Sequence, residues 1–176
     1  MLDWLPQIVK ISDVKGDWPN YLDIVYKIFY SDIIKKRLAY KNTLVRPTHE
    51  NDYDDGKHVL FWHIIQKQGE EERQPDLRRM ERIPWIKPIT DNIDSQFIHI
   101  WSEKRGNDFR DHILLDDGLE NQYLIVISVR EKKNYTDYFL VTAFPPEKNY
   151  LKNLLRRYKK ANPGITEVRT PSTRGR

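Results

Sequence analysis

The C-terminal half of the chain contains four apolar runs that follow one another too closely for helices to lie between them. They occupy residues 97–101, 112–115, 123–130 and 138–144. β-Branched and aromatic residues dominate the runs, and short polar turns separate them, as is typical of strands. Strands joined by such turns pair antiparallel with their neighbours. The pattern therefore predicts an antiparallel meander.

Other segments complete an α+β pattern. Apolar residues recur at helical spacing over residues 19–38 behind an Asp17-Trp18-Pro19 start, and again over residues 150–158. Asp76 is placed to cap a short helix ending near Arg82, and residues 43–46 and 57–66 read as further strands. We expect one domain over residues 1–165. It should have an N-terminal helix, a curved antiparallel sheet of four to six strands, a short central helix and a basic C-terminal helix. Residues 166–176 are expected to form a basic, disordered tail.

Composition excludes several kinds of site. The chain has no cysteine, which rules out disulfides, zinc–thiolate sites and cysteine nucleophiles. No signal peptide and no apolar run of membrane-spanning length is apparent, so a cytoplasmic location without membrane association is expected. The E-x-K step at Glu131 and Lys133, with Asp76 upstream, falls in a turn and is a weak metal-nuclease signal. We expect neither a metal nor another cofactor.

Positive charge is concentrated at the C-terminal end. Residues 148–176 hold nine Lys and Arg against one Glu, a net charge of +8, whereas the whole chain carries +4. Such asymmetry indicates a face that meets a polyanion. A solvated helix followed by a frayed tail is the alternative. The cations assigned to nucleic-acid binding are Lys152, Arg156, Arg157, Lys159 and Lys160.

Two strand-end residues suggest a phosphate site. If residues 123–130 and 138–144 form a hairpin, Arg130 and Thr142 can share one face with Ser128 and Leu140. A guanidinium beside a hydroxyl can hold a phosphate. The alternative is that both are ordinary strand residues. His63 and His99 lie among large apolar residues, where each is either a general acid–base group or a hydrogen-bonded core histidine.

Residues 79–158 resemble a family of small phage and bacterial proteins allied to the barnase–EndoU–colicin–RelE ribonucleases. The resemblance is carried by RMERIPWIKPI at 79–89, IWSE at 100–103, YLIV at 123–126 and YFLVTAF at 138–144, followed by the basic helix. It implies metal-independent RNA cleavage, in which Arg130 is a phosphate clamp and Thr142 an auxiliary donor. His63 or Glu81 would be the base and Arg82 a second cation. His63, His99 and His112 compete as the family's histidine.

The resemblance also implies that Trp85 or Trp101, if exposed, stacks on an RNA base; for both, a core position is the alternative. The expected function is a small endoribonuclease, with RNA as its partner. It would be the toxin of a system in which an antitoxin or immunity protein restrains it. A non-catalytic nucleic-acid-binding protein that uses the same face is the alternative. Docking of an acidic protein on the basic segment is a third.

Overall fold

Six strands form one mixed sheet in a computed structural model that describes residues 2–48, 55–67 and 74–164. The acidic stretch at residues 49–54 and the tail predicted at residues 166–176 lie outside the described residues. The strands are β1 (Leu38–Tyr40), β2 (Thr43–Pro47), β3 (Ile98–Arg105), β4 (Asp108–Asp116), β5 (Gln122–Glu131) and β6 (Thr136–Phe144). Their order across the sheet is β1-β2-β6-β5-β4-β3.

The predicted meander is confirmed, because β3, β4, β5 and β6 pair antiparallel in sequence order. The expectation of a wholly antiparallel sheet is wrong at one place, where β2 runs parallel to β6. Strand β1 was not predicted. It forms a hairpin with β2 through Lys41 and Asn42, whose positive φ values of 49° and 60° are those of a type I′ turn.

The sheet curls strongly. The Tyr40 hydroxyl on β1 donates to Asp111 on β4 at 2.9 Å, although three strands separate β1 from β4 in the sheet. Neighbouring strands are about 4.8 Å apart, so a flat sheet would place these strands roughly 19 Å apart. Lys41 joins the same carboxylate at 2.8 Å. The edge hairpin is therefore tied to the strand next to the opposite edge of the sheet.

The helices are α1 (Trp18–Phe29), α2 (Val59–Ile65), α3 (Leu77–Met80), α4 (Ile86–Asp91) and α5 (Lys148–Ala161). The helix start at Asp17 is confirmed, since its side chain accepts from the Asn20 amide at 3.2 Å. The predicted extent to residue 38 is too long. The α-helix ends at Phe29 and a wider π-type turn follows over Tyr30–Lys35, before β1 begins.

The strand predicted at residues 57–66 is wrong, because this segment is helix α2. Its β-branched and aromatic residues favour a strand, but five of its seven residues are buried. A helix buried on most sides lacks the apolar period that identifies an amphipathic helix. His58 begins the helix by accepting from the Leu60 amide at 3.1 Å. Because the segment is helical, His63 does not share a strand face with Phe61 and Ile65, as it would in the predicted strand.

Two apolar clusters lie on opposite faces of the sheet. The larger includes Tyr21, Phe29, Phe61, Ile113 and Leu140, and it packs one face against the N-terminal half of the chain. The smaller packs the other face against α5, with Leu154 and Tyr158 of the helix meeting Trp101, Leu114 and Leu124 of the sheet. Among the described residues, no helix is both long and apolar enough to cross a membrane. Helix α5 covers only the part of its sheet face that carries Trp101, Leu114 and Leu124.

A cationic cleft beside the C-terminal helix as the candidate functional site

The strand register aligns side chains in rows on the sheet face that α5 partly covers. Residues paired across neighbouring strands point to the same side, and alternate residues along a strand return to that side. We call these rows the inner, middle and outer rows, in order of distance from the apolar cluster under α5. The inner row is Trp101, His112, Val126 and Thr142; the middle row is Glu103, Arg110, Ser128 and Phe139; the outer row is Arg105, Asp108, Arg130 and Asp137.

A bulge in β6 corrects the predicted face. Val126 pairs with Thr142 and Ile127 pairs with Leu140, so Val141 is an extra residue in β6. The extra residue reverses the side on which the following residues point. Ser128, Arg130 and Thr142 share the face near α5, as expected, but Leu140 is fully buried in the larger cluster on the other side.

Parts of all three rows form the floor of a cleft of about 450 Å³, with α5 on one side and α2 and α3 on the other. The row residues that line it are His112, Val126, Thr142, Glu103, Arg110 and Arg105. Its described lining contains five cationic side chains and one carboxylate. Two histidines, a threonine and a tyrosine complete the polar lining. The cations are Arg79, Lys104, Arg105, Arg110 and Arg157, the carboxylate is Glu103, and the other polar groups are His63, His112, Thr142 and Tyr150.

Glu103 is held by an ion pair between the sheet and α5. Arg157 binds its carboxylate with two nitrogens, and the Nε–Oε1 distance is 2.6 Å. Trp101 Nε1 donates to the same carboxylate at 2.9 Å. The hydrogen bonds from Arg157, above all, lower the pKa of Glu103 to about 2, and the same contact raises the pKa of Arg157. Both groups therefore stay charged at neutral pH.

His112 is fixed in one orientation. Its ring stacks on Trp101 with centroids 4.9 Å apart, and its Nδ1 lies 3.1 Å from the Arg110 carbonyl oxygen. A carbonyl only accepts, so Nδ1 carries the proton and Nε2 keeps its lone pair. Arg157 Nη2 lies 3.3 Å from Nε2. Burial, the main cause, lowers the pKa of His112, which keeps the ring neutral at pH 7.

Arg79 connects the opposite wall to the sheet. Its Nη1 donates to the carbonyl oxygens of Ile64 and Gln66 at 3.2 and 2.5 Å, at the end of α2. Its guanidinium also lies over the Phe144 ring, 4.8 Å from the centroid. Burial lowers the pKa of Arg79. The side chain thus sets the position of the α2 wall that carries His63.

No family model, curated protein or solved structure matches the chain. The chemistry of the cleft therefore rests on its own residues. Over the described ranges 2–48, 55–67 and 74–164, no three His, Asp or Glu side chains come together as a set of metal ligands. Most of the charged side chains that line the cleft are cationic.

The structure divides the predicted catalytic residues between two places. His63 and Thr142 line the cleft, and both are half-buried. Arg130 lies on the same face in the outer row, where it pairs with Asp108 at 3.4 Å. Glu81 and Arg82 pair with each other at 3.2 Å, and Arg82 lines a separate cleft against the N-terminal segment. The predicted cluster of His63, Glu81, Arg82, Arg130 and Thr142 is therefore not one site.

Neither Trp85 nor Trp101 is exposed, as stacking on an RNA base would require. Trp85 is 4% exposed and its Nε1 donates to the Pro6 carbonyl at 2.8 Å. Trp101 is 3% exposed in the cluster under α5. Both rings therefore take the core position that the sequence left open as the alternative to base stacking.

The cationic side chains of α5 point in two directions. Lys152, Arg156, Lys159 and Lys160 are exposed on α5, as a polyanion-binding face requires. Arg157 turns inward to Glu103 and the cleft. Of the three competing histidines, His63 and His112 line the cleft, whereas His99 is buried against the Tyr158 ring at 4.8 Å.

Sequence reasoning missed Arg79, Glu103 and Arg110 as site residues. The alternation along β4 was the available signal, because Asp108, Arg110 and His112 share one side of a strand whose other side is mostly apolar. Arg79 gave no such signal, since its place depends on how α3 packs on β6.

Proposed function

We propose that the protein is a metal-independent endoribonuclease that cleaves RNA by transesterification in this cleft. The observation that carries the proposal is the lining of five cations and one carboxylate around two histidines. A phosphodiester is an anion whose negative charge increases during attack, and fixed cations stabilise that charge. An imidazole is the side chain best suited to move protons near neutral pH.

The reaction requires a base, an acid and cations. The base removes the proton of a ribose 2′-OH, and the oxygen attacks the adjacent phosphorus. The bond from phosphorus to the 5′-oxygen then breaks, and the acid protonates that oxygen. The products are a 2′,3′-cyclic phosphate and a free 5′-hydroxyl, so no water is consumed in this step.

His112 is our candidate base, in place of the His63 or Glu81 predicted from the resemblance. It is neutral at pH 7, and its Nδ1 bond to the Arg110 carbonyl presents the lone pair at Nε2. His63 lines the same cleft and is the candidate acid. In this proposal Arg157 turns its Nη2 from His112 to the phosphate when RNA binds, which frees the lone pair.

The remaining polar groups position the phosphate. Arg110 and Arg157 reach the cleft from the sheet and from α5, and Thr142 adds a neutral donor in the inner row. Glu103 positions Arg157 through its ion pair, rather than touching the substrate. Tyr150 lines the cleft and is 40% exposed, so we propose that it stacks on a base in place of the buried tryptophans.

The test is incubation of purified protein with total RNA in the presence of EDTA, followed by analysis of the new 3′ ends. We expect cleavage that survives EDTA and leaves 2′,3′-cyclic phosphates. His112→Asn and Thr142→Val should reduce cleavage while keeping the circular dichroism of the wild type. Intact RNA, or 3′-hydroxyl ends that vanish with EDTA, would refute the mechanism.

A non-catalytic nucleic-acid-binding protein is the second candidate. The contact between Arg157 and His112 favours it, because the lone pair of the proposed base already accepts a hydrogen bond. This function would give binding that weakens steeply with salt and leaves the RNA intact. A toxin role, restrained by an antitoxin or immunity protein, stays a prediction. The exposed cations of α5 are the surface that an acidic partner would cover.

A further inference from the structure

Three arginines lie close together beyond the inner row. Arg105, Arg110 and Arg130 come from three adjacent strands and face the same side of the sheet. Burial is the main reason that the pKa of Arg110 is lowered, and the charges of Arg105 and Arg130 lower it further. Asp108 lies in the same row and pairs with Arg130, but both side chains are nearly half-exposed. The cluster thus keeps an excess of positive charge.

Two buried polar atoms, one in this cluster and one next to it, lack hydrogen-bond partners among the described residues. Ser128 is 2% exposed and its Oγ has no hydrogen-bond partner among the described residues. Arg110 Nε is likewise buried and unpaired in that part of the chain. The two residues are register partners on β4 and β5. Buried polar atoms nearly always have a partner, so two neighbouring donors without one indicate that an acceptor binds there.

Arg130 is already held in place for such a role. Its guanidinium lies over the Phe139 ring, 4.6 Å from the centroid, and Phe139 belongs to the middle row. Stacking on a ring restricts the side chain, and its edge faces acceptors: it pairs with Asp108 at 3.4 Å and can also donate to an anion beside that carboxylate. Less conformational freedom is then lost when the anion binds.

We propose that Arg105, Arg110, Arg130 and Ser128 form a second phosphate subsite, which binds the phosphate next to the one that is cleaved. The substrate is then an RNA strand that runs along the sheet face, rather than a dinucleotide. Measured along the strands, successive rows are two residues, or about 7 Å, apart. The inner and outer rows are therefore about 13 Å apart. Arg105 and Arg110 also line the cleft, which makes the two sites continuous. This inference rests on the proposed function for the identity of its substrate.

The kinetic test compares a dinucleotide, which has one phosphodiester, with a longer oligoribonucleotide. The variant is the double substitution Arg130→Ala with Ser128→Ala, because both residues belong to the subsite and neither lines the cleft. Lys27→Ala is the control for charge, because Lys27 is exposed on α1, on the other side of the sheet. We expect kcat/KM for the oligoribonucleotide to fall roughly 10-fold or more, as for lost hydrogen bonds to charged groups. The fall for the dinucleotide should be much smaller. Equal losses on both substrates, or none, would overturn the subsite.

A binding test separates this inference from the proposed function. A 2′-deoxy oligonucleotide lacks the attacking hydroxyl, so its affinity can be measured against salt concentration without cleavage. Each arginine removed should reduce the slope of log K against log salt by about 0.7. Ser128→Ala should weaken binding without changing the slope, because it removes a neutral donor. Lys27→Ala should change neither.

The outcomes are distinguishable. If the wild type cleaves no RNA but the arginine substitutions reduce the slope, the subsite stands and the proposed function fails. If the wild type cleaves both substrates and the double variant changes neither the slope nor the substrate preference, the subsite fails and the proposed function stands. Thermal unfolding of each variant shows whether it is folded.

Discussion

The ion pair between Glu103 and Arg157 gives a stability prediction that can be worked from the structure. The pKa of Glu103 falls from its ordinary 4.5 to about 2, with the Arg157 hydrogen bonds as the main cause. At 1.36 kcal/mol per pH unit this shift is worth at most about 3.4 kcal/mol. The side chain is 33% exposed, so solvent screening reduces the contribution. We expect Glu103→Gln to cost about 1.5 kcal/mol at pH 7.

The pH dependence follows from the sign of the shift. A carboxyl whose pKa is depressed by folding contributes stability above its unfolded pKa, and loses it as the pH falls through its folded pKa. The stability difference between wild type and Glu103→Gln should therefore be constant from pH 7 to about 5. It should then shrink between pH 4.5 and about 2, where Glu103 becomes protonated.

Urea unfolding of both proteins at pH 7 and pH 3 measures this difference. At pH 7 it corresponds to roughly 3–6 °C in Tm for a chain of this size. Arg157→Gln and the double variant complete a thermodynamic cycle that isolates the pair from other effects of each substitution. A difference near zero at pH 7, or one that does not shrink by pH 3, would refute the reasoning.

Four further predictions concern the cleft and its support. Leu154→Ala removes a fully buried side chain under α5 and should lower the free energy of unfolding by about 2–5 kcal/mol, measured in urea. Arg82→Ala should leave RNA cleavage near the wild-type rate, because Arg82 lines another cleft; a large loss would favour the site predicted from the resemblance. His112→Asn should lower the cleavage rate about 100-fold or more. Burial lowers the pKa of His112, so the acid limb of the wild-type rate profile should lie below pH 6.5, the ordinary histidine value.

The strands of the meander could be predicted because their signals are local. Turn residues and alternating apolar residues lie next to each other in the sequence, and β3 to β6 follow them. Helix α2 could not, because its residues are buried by contacts with distant segments that no local pattern reveals. Propensity favoured a strand there, and tertiary packing overrode it. The parallel pairing of β2 with β6 is equally nonlocal.

The site was harder to predict than the fold. Thr142 and His63 line the cleft, but the predicted face of Leu140 was wrong, because the extra residue Val141 changes the side of β6 on which Leu140 points. The inward turn of Arg157 depends on how α5 lies across the sheet, and the sequence shows only a row of cations. Glu103 looks like an ordinary strand-end charge until Arg157 is placed beside it.

The central claim is that this cleft cleaves RNA through the ribose 2′-OH. The most direct measurement uses a DNA oligonucleotide that carries a single ribonucleotide, incubated with the protein in EDTA. We predict cleavage immediately after that ribose to give a 2′,3′-cyclic phosphate, none in the all-deoxy control, and a loss of about 100-fold or more in His112→Asn. Failure to cut at the ribose, or equal cutting by wild type and His112→Asn, would contradict the account.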